Sequence, residues 1–149
     1  MIPLRRVEDD RGWFVELARA SRLPKPWKQT NVVFSRKGVI RGLHYHERGQ
    51  DDLFACLDGT MRVVVLDRDS DETFSLDIGD ANQVAVYIPG HYAHGYEALT
   101  DLLFCYHVTE EYDPSDPDEH AIAWNDPRVA HLWSTTSPIL SGRDRAASR

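Results

Sequence analysis

The chain predicts an all-β jelly-roll barrel with only minor helix. Two observations lead there. Short runs rich in β-branched and aromatic residues recur along the 149 residues, and turn residues break them about every ten positions. No stretch alternates strand and helix patterns as βαβ units would, which leaves a barrel or sandwich. Taken in order, WFVELARASRL (13–23) has some helical character and can equally begin as a strand. QTNVVFSRKGVIRGLHYH (29–46) holds apolar pieces broken at Gly38. LFACLDGTMRVVVLDRD (53–69) reads as strand, turn, strand about LDGT, and DETFSLDIGDANQVAVYIP (71–89) as two strands about IGDAN. HGYEALTDLLFCYHVTEEY (94–112) gives a further pair about LTD. The polar end is expected to be loose after Asp144, over 145–149. With no repeat and no linker, residues 1–149 are expected to form one domain.

Composition narrows the function classes. A net charge of −7 without a basic stripe argues against nucleic acid as a partner. It leaves room for an anionic small ligand, since a few arginines in one pocket suffice for phosphates. No apolar run is long enough to span a membrane, and the N-terminus has no apolar signal core. Cys56 and Cys105 lie in apolar runs and read as reduced core residues. A cytoplasmic location is the expectation.

The residues best suited to chemistry begin at His44 and His46. Positions i and i+2 of a strand share a face, so both rings look the same way. Five residues then separate His46 from Asp52, and six more precede Gly59. His94 stands five residues after Pro89 in PGHYAH. This spacing matches the metal motifs of cupins, with Asp in place of the usual Glu. Three imidazoles and a carboxylate suit Fe(II), Mn(II), Ni(II) or Zn(II). Asp51 beside Asp52 leaves open which of the two faces inward, and a solvated loop is the bland alternative for both.

The chain also resembles a family. DDRGWFVE, QTNVVFSRKGVIRG, RGLHY, IPGHYAHGY, FCYHVTEEYDP, IAWNDPRV and LSGRD together, in this order from about Asp10 to Asp144, resemble the dTDP-4-dehydrorhamnose 3,5-epimerases and their sugar-nucleotide relatives. The resemblance implies a cupin jelly-roll homodimer without cofactor, acting on a dTDP-4-keto-6-deoxyhexose at C3, C5 or both through an enolate. It implies His44 as the general base, Asp144 as its orienting carboxylate and Tyr106 as the acid. A His–Asp dyad makes physical sense, because the carboxylate fixes the tautomer and stabilises the imidazolium. The resemblance further implies substrate binding by Arg11 and Arg41 on the diphosphate, and by Glu16, Gln29, Asn31, His94 and Tyr112 near the nucleotide or sugar. RGWF stands closer to the first residue than is usual in the family, so a short or rearranged leading strand is expected.

Two residues depart from the family pattern. His46 replaces a usual Gln, and Asp52 replaces a usual Lys that stabilises the developing enolate oxygen. An aspartate there inverts the local charge. Both changes favour a metal site, so three readings stay open. One is epimerisation without metal. Another is a metal-dependent enzyme of isomerase or oxygenase type, with a divalent transition metal on His44, His46, Asp52 and His94. The third is a sugar-nucleotide binder without catalysis.

Overall fold

A computed structural model describes residues 1–148. The strands are β1 (Ile2–Pro3), β2 (Arg6–Asp9), β3 (Gly12–Val15), β4 (Gln29–Ser35), β5 (Ile40–Tyr45), β6 (Asp52–Asp58), β7 (Thr60–Leu66), β8 (Thr73–Gly79), β9 (Val84–Ile88), β10 (Ala93–Ala98), β11 (Leu102–Val108) and β12 (His120–Ala121). One helix, α1 (Gly142–Ala147), closes the described chain, and single 3₁₀ turns lie at Ala20–Arg22 and Ala130–Leu132.

Two antiparallel sheets pack face to face in a jelly roll. Their strand orders are β1-β9-β6-β11-β4 and β12-β5-β10-β7-β8, and β2 and β3 form a separate hairpin. From β4 onward the chain changes sheet at nearly every turn. The turns about LDGT, IGDAN and LTD, each legible in the sequence, are therefore corners between sheets and not hairpin loops. Within the two five-stranded sheets, β7 and β8 are the sequence neighbours among the described residues that pair directly as a hairpin. Alternation explains the core: Phe54, Met61, Val63, Ile78, Val86, Ile88, Tyr96 and Phe104 face inward from both sheets and fill the space between them. The outer faces are covered too. Residues of the N-terminal segment, Leu4, Leu17 and Leu23, pack on Leu53, Ala55 and Ala85, while Ile122, Trp124, Val129 and Trp133 cover Ile40, Leu43 and Val64 behind β5 and β7. That double cover explains why β6 and β7 read as nearly continuous apolar runs and not as alternating strands.

One expectation is narrowed and one corrected. Residues 13–15 belong to strand β3, as the strand reading allowed, and the helical character read in 13–23 is limited to the 3₁₀ turn at Ala20–Arg22. The Gly12 turn, with φ of 124°, pairs β3 back onto β2. The tail expected to be loose after Asp144 is helical through Ala147. Ser141 caps this helix by accepting from the Asp144 amide at 3.1 Å; Arg149 lies outside the described residues. Cys56 and Cys105 are buried free thiols, and burial pushes the Cys56 thiol up to about 11.

Candidate active site

A cavity of about 610 Å³ opens between the sheets. One wall is Gln29, Asn31, Asp52, Phe54 and Tyr106 from β4, β6 and β11; the other is Arg41, His44, His94 and Tyr96 from β5 and β10. Register puts them there. Tyr106 pairs with Asn31 on one side and Phe54 on the other, and His94 pairs with His44, so each set shares a face. The close approach of β5 and β10 depends on glycine. A Cβ on Gly95 would lie 2.4 Å from the Arg41 carbonyl oxygen, and one on Gly42 would lie 2.7 Å from that of His94.

His44 is held from behind by α1. Its Nε2 lies 2.8 Å from Oδ1 of Asp144, which is 3% exposed. The second carboxylate oxygen accepts from Ser141 Oγ at 2.9 Å. Arg143 Nη2 also approaches His44 Nε2, at 3.0 Å. One nitrogen cannot donate to Asp144 and accept from Arg143 together. The shorter contact to an ionised acceptor fixes the proton on Nε2, and the guanidinium belongs to its ion pair with Glu119. Burial works to raise the Asp144 carboxyl, but the hydrogen bond and charge of His44, with Ser141 and Arg143, outweigh it and hold the group below its ordinary value. The tautomer so fixed leaves Nδ1 as an unprotonated acceptor. It lies 3.6 Å from Glu119 Oε1, another residue lining the cavity.

Tyr106 stands on the facing sheet. Burial first, then the negative charges of Asp52 and Glu119, raise its hydroxyl above the ordinary value. It therefore holds its proton through the neutral range.

The floor of the cavity is a separate group. His46, Asp52 and His94 are 6%, 4% and 3% exposed. His94 Nε2 is 3.4 Å from Asp52 Oδ2, and His46 Nε2 is 3.8 Å from Oδ1. Burial lowers the His46 imidazole below its usual value despite Asp118 and Asp52. For His94, burial is outweighed by the hydrogen bond and charge of Asp52, which raise it. The same pairing holds Asp52 below the usual carboxylate range against the effect of burial.

The ambiguity between neighbouring aspartates is settled by strand parity. Asp52 faces the cavity. Asp51 points the other way, accepting from the Tyr87 hydroxyl at 2.6 Å and the Gly90 amide at 3.0 Å, with Lys25 Nζ at 2.9 Å. Both are buried, so the solvated-loop reading fails for each. The four-residue metal set narrows as well: the donor atoms that lie within 4.8 Å of one another are those of His46, Asp52 and His94, and His44 is not among them.

Of the expected binding residues, Gln29, Asn31, Arg41, His94 and Tyr112 line the cavity. Gln29 bridges two of them, donating to Asn31 Oδ1 at 2.9 Å and accepting from the Tyr112 amide at 2.8 Å. Arg11 and Glu16 do not reach it within one chain. Arg11 is bound to Asp9 at the hairpin turn, and Glu16 to Arg19, both in solvent. The hairpin pairs only with itself, so it carries these residues away from the cavity. Sequence reasoning missed Gln50, Asp118, Glu119 and Arg143. The acidic run DPSDPDEH resembles a solvated loop, and nothing in its pattern shows that Glu119 and the Asp118 carbonyl turn inward. Arg143 had one signal, its place beside Asp144.

Comparison with known proteins gives a consistent picture. The profile of the family described as dTDP-4-dehydrorhamnose 3,5-epimerase matches residues 1–149. A spore coat polysaccharide biosynthesis protein, SpsL, of Bacillus subtilis is 38% identical over 140 residues, covering 89% of this chain and 92% of that protein. A dTDP-4-dehydrorhamnose 3,5-epimerase of Escherichia coli is 36% identical, over 91% of this chain and 80% of its own length. Among solved structures, the Legionella pneumophila epimerase in complex with dTDP-4-keto-L-rhamnose superposes with a TM-score of 0.85 at 30% identity, covering 97% of this chain and 84% of that one. The Bacillus anthracis epimerase with TDP and pyrophosphate bound gives the same TM-score, 0.85, over 96% and 89%.

Proposed function

This chain belongs to the dTDP-4-dehydrorhamnose 3,5-epimerase family and is a dTDP-sugar epimerase, and we propose that it inverts carbon beside the ketone of a dTDP-4-keto-6-deoxyhexose with His44 as base and Tyr106 as acid. The observation that carries this reading is their opposition. His44, backed by a buried carboxylate at 2.8 Å, and Tyr106 project into one cavity from opposite sheets. A carbon between them loses a proton to one face and receives one from the other, and that is inversion.

His44 Nδ1 takes the proton from the carbon next to the ketone. The C–H electron pair moves into the C–C bond, and the carbonyl π pair moves to oxygen as an enolate. Asp144 stabilises the imidazolium that forms. Tyr106 then gives its hydroxyl proton to the opposite face of the carbon, and the enolate pair returns to the ketone. Exchange with water restores His44 and Tyr106. Every proton moves between protein groups, substrate and water, so these steps call on no cofactor. Arg41, reaching the cavity from β5, suits the diphosphate with its planar fork.

A homodimer completes this reading. Val32 and Phe34 on edge strand β4 are 62% and 58% exposed, and Phe14 on the hairpin is 69% exposed. Such a row on an edge strand is a surface for a second copy. A partner's hairpin lying there brings Arg11 and Glu16 into the binding roles they cannot fill within their own chain.

The test is solvent exchange in D₂O with a dTDP-4-keto-6-deoxyhexose, followed by NMR. The wild type is expected to place deuterium at the inverted carbon. Tyr106→Phe is expected to retain exchange while losing the inverted product, because His44 still removes and returns the proton on its own face. His44→Asn is expected to lose both. Exchange that survives in His44→Asn and vanishes in Tyr106→Phe would reverse the two roles.

A further inference from the structure

The cavity floor has the chemistry of a cation site. The donor atoms of His46, Asp52 and His94 all lie within 4.8 Å of one another. Metal–donor bonds of ~2.0–2.2 Å place neighbouring ligand atoms ~3–4 Å apart. The 3.8 Å from His46 Nε2 and the 3.4 Å from His94 Nε2 to the two Asp52 oxygens fall in that range.

The rings are also set in the right sense. His46 Nδ1 is bonded to the Asp118 carbonyl, and His94 Nδ1 to the Tyr92 carbonyl at 2.9 Å. A carbonyl can only accept, so each Nδ1 carries a proton. Both Nε2 atoms are thereby directed at Asp52. Such outer hydrogen bonds orient metal-bound histidines and raise their basicity. The Gln50 amide nitrogen sits at 3.0 Å from both His46 Nε2 and Asp52 Oδ1. One donor thus serves two acceptors that a cation would draw together.

We propose that His46, Asp52 and His94 bind one divalent first-row transition cation at the floor of the cavity. Two imidazoles and a carboxylate suit such an ion. Three protein donors leave coordination positions for water or a substrate oxygen. His44 stands outside the set, with Nε2 on Asp144 and Nδ1 beside Glu119, so base and cation coexist. The bound charge would replace the net negative charge of Asp52 with a positive one beside the reacting ketone, where Lewis-acid assistance is useful. The site stands on these three side chains and not on the identity of the sugar.

The test is a titration of chelator-treated protein, purified without a nickel column, with Co²⁺ alone. Visible absorption follows ligand-field bands, and elemental analysis after gel filtration counts the metal. Saturation at about one cobalt per chain is expected. His46→Gln and Asp52→Asn should each weaken binding by ~10- to 100-fold or more, whereas His44→Asn binds as the wild type does. Thermal melts show that each variant is folded; if Asp52→Asn is not, His46→Gln decides. Three results would overturn the site: less than about a tenth of an equivalent retained by the wild type, cobalt bound equally by both floor variants, or binding lost in His44→Asn. None of these requires the sugar substrate, so failure here is distinct from failure of the epimerase reading.

Discussion

Replacing Asp144 with Asn removes one charge and little else. The amide keeps the size of the carboxylate; its oxygen still accepts from His44 Nε2, and its NH2 meets Ser141 Oγ, a hydroxyl that can accept in place of donating. The wild-type pair is 2.8 Å long and Asp144 is 3% exposed, so water does not take over the lost charge. A hydrogen bond to a charged group contributes ~1.5–3 kcal/mol. That stabilisation is greatest when His44 has become an imidazolium, so it belongs to the transition state for proton removal. At ~1.36 kcal/mol per decade, kcat should fall ~10- to 150-fold. Asp144 does not line the cavity, so KM should stay within about threefold, the pattern of an interaction made only in the transition state. The assay is initial-rate deuterium incorporation into a dTDP-4-keto-6-deoxyhexose at several substrate concentrations. A kcat within twofold of wild type, or a loss confined to KM, would refute the dyad.

The same variant has a pH signature. The folded Asp144 carboxyl lies below its unfolded value. Its contribution to stability is therefore full above about pH 4 and is lost as pH falls towards the folded value. Thermal melts from pH 6 to 3 should show a shallower acid loss for Asp144→Asn than for wild type; parallel slopes would contradict this. Gly95→Ala would drive a methyl to 2.4 Å from the Arg41 carbonyl oxygen. Overpacking of that kind costs ~1–3 kcal/mol, seen as a Tm lower by several degrees, and an unchanged Tm would show that β5 and β10 part freely. Phe34→Lys places a charge on the exposed edge strand. Sedimentation should then show dissociation at concentrations where the wild type is dimeric, with Kd weakened ~10-fold or more; a wild type that is itself monomeric would end the dimer proposal.

Much of the barrel was legible because alternation and turn chemistry are local. The turns at LDGT, IGDAN and LTD read correctly as places where strands stop. What local pattern does not encode is which strand comes next to which. These turns cross between sheets, and partners such as Tyr106 with Phe54, or His94 with His44, are fixed by packing of distant segments. The stretch 13–23 left strand and helix both open for a related reason. Its apolar residues suit either period, and pairing with β2 decided for the strand.

The sequence by itself determined the fold class and the family. It also carries His44, Tyr106 and Asp144 in the motifs and order that the family resemblance implies. Two of its departures, His46 and Asp52, already stood out as suited to a cation. Only the tertiary structure decided how those residues divide. The helix after Ser141 carries a carboxylate to His44 Nε2, and His44 is not among the donors that converge on the cavity floor. Strand parity turns Asp52 inward and Asp51 outward, and the carbonyls of Asp118 and Tyr92 aim two imidazoles at one carboxylate. A histidine's role depends on which partner each ring nitrogen meets, and those partners lie up to a hundred residues away.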